Sequence, residues 1–118
     1  MKNHPFYHRM GYALHGMRVV WRSEHSFRTE CYIAIGAAVV TAALRPGWLW
    51  GALIALCAAL VLALELLNTS LEYLMDHVHP DIAPAIKHAK DAAAAGVLIT
   101  GVGAILVGIM MLISVATG

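Results

Sequence analysis

The chain has 118 residues, 60% of them apolar and 13% charged, with a formal net charge of +1 and a mean hydropathy of +0.72. A soluble domain carries about 45–50% apolar and about 25% charged residues, and so short a chain has too much surface to hide the excess. The composition argues against a soluble globular protein and excludes intrinsic disorder, and the near-neutral charge gives no footing for a nucleic-acid partner.

The first 27 residues mix Tyr12, Met17, Val19, Val20 and Trp21 with His8, Arg9, His15, Arg18 and Arg22. This pattern predicts an amphipathic helix over 1–27, lying on a membrane surface with its basic residues toward the headgroups. The alternative is a frayed basic tail. Polar groups run through the whole segment, so no cleavable signal peptide is expected. Cys31 to Leu44 follows, 14 residues without charge. That is about 21 Å of helix, too short to cross a bilayer unless Arg28 and Glu30 lie at the interface or against other helices. Pro46 to Leu64 gives 19 uncharged residues and Ala92 to Gly118 gives 27. These reach the roughly 20 residues that a ~30 Å hydrocarbon core requires. The expectation is an all-α membrane protein in one domain, 1–118, with an amino-terminal surface helix and transmembrane helices over 28–45, 48–75 and 87–115. Arg45-Pro46-Gly47 separates the first two, and Trp48 and Trp50 fall where an interfacial aromatic belt belongs. Cys31 and Cys57 lie in apolar runs and read as small buried hydrophobes rather than a disulfide framework.

Basic residues set an expected orientation. Lys2, Arg9, Arg18, Arg22 and Arg28 precede the first span, Arg45 lies in the first loop, and Lys87 and Lys90 flank the second. With three spans the amino terminus and second loop share a side, which holds seven of the eight basic residues. By the positive-inside rule that side is cytoplasmic, and the carboxyl terminus faces out.

The acidic residues are more informative. At about 100° per residue, Glu65, Asn68, Glu72 and Asp76 fall within an arc of about 80° on one helix face. A carboxylate at the centre of a span costs about 2.5–3.5 kcal/mol on insertion scales, and such acids usually face the bundle interior and perform a function. The bland reading is a set of interfacial acids that end the span. Glu65 and Glu72, about 10 Å apart along that face, together with an amide suit a hydrated divalent cation. Mg²⁺ takes one or two carboxylates plus phosphate oxygens and water. A carboxylate held back from the metal can act as a base toward an alcohol. Glu24 is a third acid on the same side. Lys87-His88-Ala89-Lys90-Asp91 opens the last span, and a helix amino terminus with adjacent Lys suits phosphate groups, though ordinary positive-inside anchoring gives the same pattern.

No Gly-x-x-x-x-Gly-Lys-[Ser/Thr] loop and no protein-kinase signature occurs in the chain. His77, His79 and His88 lack a third ligand at diagnostic spacing and read as loop residues. Gly101-x-Gly103, Gly108 and Gly47-x-x-x-Gly51 read as helix-packing sites.

Gly16-x-Arg18-x-x-Trp21-x-x-Glu24-x-x-Phe27-Arg28, then Glu65-x-x-Asn68-Thr69-x-x-Glu72, then Ala89-Lys90-Asp91 resembles the small bacterial integral-membrane lipid kinases, the diacylglycerol kinase and undecaprenol kinase family. The resemblance covers nearly the whole chain. It implies a homotrimer with composite active sites and transfer of the γ-phosphate of Mg-ATP to a membrane lipid hydroxyl. By position, Glu65 looks like the catalytic base, and Glu24 and Glu72 like ligands of the Mg²⁺ that accompanies ATP. Asn68 looks like an active-site polar partner, and Tyr12, Asp76, Lys90 and Asp91 like nucleotide contacts, as do Glu24 and Glu72. The second loop departs from the pattern: Ala83 stands where well-known diacylglycerol kinases have a loop His, and no Arg matches their amino-terminal Arg contact, although Arg9 is near. Ala92-Ala93-Ala94-Ala95-Gly96 looks slightly more like the undecaprenol kinases.

The implied acceptor is diacylglycerol, giving phosphatidic acid, with undecaprenol as the alternative. The implied location is the bacterial inner membrane. A reading of another class is a small proton- or cation-coupled transporter that uses Glu65. Small multidrug transporters have a comparable length and one essential intramembrane Glu. They differ in having four spans and no charged stripe that reaches the cytoplasmic surface.

Overall fold

The computed structural model describes residues 3–78 and 83–118. Four helices follow in chain order: α1 (Phe6–Ser23), α2 (His25–Leu44), α3 (Trp48–Val78) and α4 (Pro84–Thr117). No strand occurs among the described residues, and α2, α3 and α4 are each long and apolar enough to cross a membrane. The expected all-α architecture of one amino-terminal helix and three spans is what the chain forms.

The boundaries follow from local chemistry. The first helix is shorter than the expected 1–27. It stops where Glu24 takes an extended backbone (φ −117°, ψ 111°) that caps α1 and starts α2. The second helix therefore begins at His25 rather than residue 28 and absorbs the two charges that a 14-residue apolar run could not accommodate. Arg28 turns back to α1, where its Nη1 donates to Trp21 O at 2.6 Å and Arg22 O at 3.2 Å. A guanidinium on the last carbonyls of a helix satisfies orphan acceptors and opposes the negative end of the dipole. At its far end α2 terminates at Arg45 in the left-handed region (φ 50°), and Gly47 follows at φ 111°. The fourth helix starts at Pro84, a residue suited to the first helical turn because its missing N–H is unneeded there.

Little of the chain is buried against itself. Val20, Phe27 and Met111 are the buried apolar residues among those described, while Ile99, Leu98 and Ile105 lie exposed on α4. The polar Glu65 and Thr69 are buried instead. This inverts the arrangement of a water-soluble core and suits a lipid solvent, in which apolar side chains gain nothing by turning inward. α3 packs between α2 and α4. Trp21 meets both Phe27 and Tyr32 edge-on, with ring centroids 6.5 and 5.6 Å apart, and so fixes the corner between α1 and α2. Thr41 Oγ1 reaches Met111 Sδ at 3.7 Å and links α2 to α4 near the other end.

Candidate active site

Glu65, Asn68, Glu72 and Asp76 recur on α3 every three or four residues and so share one face. Glu65 is 7% exposed and Thr69, one turn on, only 2%. At Glu65 and Thr69 that face turns into the bundle, as a carboxylate within an apolar span requires, while Asp76 at its far end is exposed. Position along the helix sets the depth. Counting from Trp48 at 1.5 Å per residue, Glu65 lies about 26 Å along α3, Glu72 about 36 Å and Asp76 about 42 Å. With Trp48 at one interface, Glu65 stands near the far edge of a ~30 Å core, and Glu72 and Asp76 extend past it.

Three further carboxylates gather about Glu65. Glu30 on α2 lies beside it, and Glu24 and Glu72 lie within electrostatic range of it. Asn68 Nδ2 donates to Glu72 Oε1 at 3.3 Å and holds that carboxylate on the stripe. Asn68 Oδ1 and Glu30 Oε2 are buried without a hydrogen-bond partner among the described residues. An unsatisfied buried acceptor costs about 1–3 kcal/mol, and clustered carboxylates repel one another. Both features suit an incoming cation or hydroxyl donor.

The donor set fits Mg²⁺ in a particular sense. Among the described residues no three His, Cys, Asp or Glu side chains converge into a closed metal cage. Mg²⁺ with a nucleotide does not need one, because phosphate oxygens and water complete its octahedron. Glu24 and Glu72 are both half-buried at the end of the bundle, where such a complex can reach them.

The remaining expected residues form a separate group. Lys90 Nζ on α4 lies 2.6 Å from Asp76 Oδ1 on α3. Asp91 is engaged by Lys87 Nζ at 2.7 Å, and both of those side chains are exposed. Tyr12 sits on α1 about 18 Å along the helix from Glu24. Its hydroxyl lies 3.4 Å from His4 Nδ1. Within one chain the fold thus unites Glu24, Glu65, Asn68 and Glu72, pairs Asp76 with Lys90, and leaves Tyr12 apart. His79 lies outside the described residues; His77 and His88 are exposed. Cys31 and Cys57 are free thiols, as their apolar surroundings suggest.

An apolar cleft of about 360 Å³ opens beside this cluster. Its walls come from α2, α3 and α4, including Ala37, Ile54, Cys57, Val61 and Gly101, and Glu30 borders it. The small side chains of α4 make the room. Glu30, which joins this cleft to Glu65, is the residue that sequence reading missed. Its signal was a lone acid at the start of an apolar run, but its partner lies 35 positions away on another helix.

Comparison with known proteins decides the family. The family model for prokaryotic diacylglycerol kinase matches residues 11–112. The chain belongs to the prokaryotic diacylglycerol kinase family. It is 38% identical over 100 residues to a diacylglycerol kinase of Synechocystis sp., an alignment that covers 82% of this chain and 56% of that protein. A diacylglycerol kinase of Helicobacter pylori is 35% identical over 89 residues, covering 75% of this chain and 69% of the relative. For that of Escherichia coli K12 the identity is 29% over 96 residues, covering 81% and 79%. This member of the diacylglycerol kinase family is a multi-pass membrane protein, with three helices long and apolar enough to span. The matched region contains the complete acidic stripe together with Glu24, Glu30, Lys90 and Asp91.

Proposed function

We propose that the chain transfers the γ-phosphate of Mg-ATP to the hydroxyl of diacylglycerol and forms phosphatidic acid. The observation that carries this reading is the carboxylate group Glu24, Glu30, Glu65 and Glu72 beside a cleft that opens among the spans, in a chain of this family.

Glu65 is the base. Its side chain is buried, which limits its contact with water, and it stands towards the end of the apolar stretch of α3, the depth expected of a lipid headgroup hydroxyl. Its carboxylate accepts the hydroxyl proton as the oxygen attacks the γ-phosphorus, and the bond from that phosphorus to the β,γ-bridging oxygen breaks to release ADP. Glu24 and Glu72 hold the Mg²⁺ of the nucleotide, and Asn68 keeps Glu72 in place. Mg²⁺, when bound, neutralises phosphate charge, the main electrostatic demand of phosphoryl transfer. Lys90 and Asp91, with Asp76 and Tyr12, meet the nucleotide. The family resemblance implies a homotrimer with composite sites, in which Tyr12, remote from Glu24 within one chain, would contribute from a neighbouring subunit. The apolar cleft accepts an acyl chain while Glu30 marks its polar end.

The site faces the cytoplasm across the bacterial inner membrane, with the amino terminus and second loop inside and the carboxyl terminus outside. Seven of eight basic residues then lie on the inner side, where ATP is available. The test is phosphate transfer from labelled Mg-ATP to diacylglycerol by purified protein in mixed micelles, with Glu65→Gln as the control. Transfer by the wild type and none by the variant is expected. Proton-coupled efflux that Glu65→Gln abolishes, without any phosphoryl transfer, would establish the transporter reading instead.

A further inference from the structure

Ser23 and Tyr73 adjoin, in sequence, the two carboxylates assigned to the metal of the nucleotide, Glu24 and Glu72. Their side chains meet: Ser23 Oγ and Tyr73 Oη form a hydrogen bond across 50 positions of sequence. The direction of that bond follows from proton counting. Ser23 Oγ already donates its only proton to Val19 O at 3.0 Å, so the Tyr73 phenol is the donor and Ser23 Oγ the acceptor. Among the described residues this is the only side-chain hydrogen bond between α1 and α3.

The bond falls where the backbone most needs fixing. Glu24 stands at the break between α1 and α2, on a single extended residue whose N–H is held by Val20 O at 2.8 Å. Arg28 ties the end of α1 to α2. Neither contact reaches α3, which carries Glu72. Packing of α2 on α3 holds the helices together, but the Tyr73–Ser23 bond is the direct polar link between the α1–α2 corner and the stripe, so the Glu24-to-Glu72 separation depends on it. Asn68 fixes Glu72 only within its own helix.

We propose that the Tyr73–Ser23 hydrogen bond is a positioning clamp that sets the distance between Glu24 and Glu72, and so the affinity for the divalent cation that arrives with the nucleotide. The clamp rests on the assignment of those two carboxylates made under the proposed function. Neither clamp residue touches the reacting atoms; both act through their neighbours. Tyr73 is 45% exposed, so Tyr73→Phe removes the hydroxyl with little change in packing.

The experiment is Mn²⁺ binding to the detergent-solubilised full chain, in the presence of a non-hydrolysable ATP analogue, followed by electron paramagnetic resonance. Lipid KM and thermal midpoint are measured alongside. Tyr73→Phe and Ser23→Ala should each weaken Mn²⁺ binding about three- to tenfold, the range for loss of one hydrogen bond. The double variant should lose no more than either single variant, as two ends of one bond require. Ser23→Thr, which keeps the hydroxyl, should retain wild-type affinity. Lipid KM should stay constant throughout. Wild-type Mn²⁺ affinity in Tyr73→Phe overturns the clamp, as do additive losses in the double variant or a lipid KM that rises in step. Absence of nucleotide-dependent Mn²⁺ binding by the wild type overturns the assignment of Glu24 and Glu72, and the clamp with it.

Discussion

Lys90 on α4 and Asp76 on α3 form an ion pair of 2.6 Å, so two residues expected at the nucleotide meet one another across the helix pair. Their side chains are 34% and 64% exposed. An exposed pair contributes at most about 1 kcal/mol to stability. Lys90→Met should therefore leave the thermal midpoint in detergent almost unchanged and yet raise the KM for ATP at least tenfold. Equal loss in unfolding temperature and activity would mark the pair as structural.

Glu65→Gln should abolish phosphoryl transfer, by about 10²–10⁴-fold for loss of a general base. Nucleotide-dependent Mn²⁺ binding should persist, because both assigned ligands, Glu24 and Glu72, remain in this variant. Glu72→Gln should do the reverse and weaken Mn²⁺ binding before it limits the chemical step. Matching losses of binding in both variants would contradict the division of roles.

Glu30→Gln tests the residue that joins the cleft to Glu65. Removing one of two facing carboxyls leaves a side chain of the same shape in the same place. The expected outcome is impaired transfer to lipid, with nucleotide affinity within a factor of two of wild type. Measured kcat and KM for both substrates separate these effects.

Arg45→Gly concerns stability alone. Arg45 holds φ at 50°, where a side chain costs about 1 kcal/mol and glycine costs little. The variant should unfold at a slightly higher temperature in detergent, with activity unchanged. A lower midpoint would show that the Arg45 side chain makes contacts that outweigh the backbone gain.

Much of this architecture is legible in the sequence because lipid simplifies the code. A run such as Pro46 to Leu64 has few alternatives to a spanning helix. The acidic stripe is equally plain, since helix periodicity alone places Glu65, Asn68, Glu72 and Asp76 on one face. The α1–α2 corner is harder to read. Pattern runs across Glu24 without a Pro or Gly to mark the break, and the contacts that stabilise it, from Arg28 and Trp21, become visible only when the helices fold back. Glu30 escapes for a related reason: its role depends on which face of α2 meets α3, a tertiary fact that no local spacing encodes. The pairing of Asp76 with Lys90 likewise depends on how α3 and α4 align.

The most direct measurement offers labelled Mg-ATP to the purified protein in mixed micelles that contain diacylglycerol or undecaprenol, side by side. Strong transfer to diacylglycerol, lost in Glu65→Gln, is the predicted result. Preference for undecaprenol would keep the kinase chemistry and replace the acceptor. No transfer to either lipid from demonstrably folded protein would contradict the lipid-kinase reading.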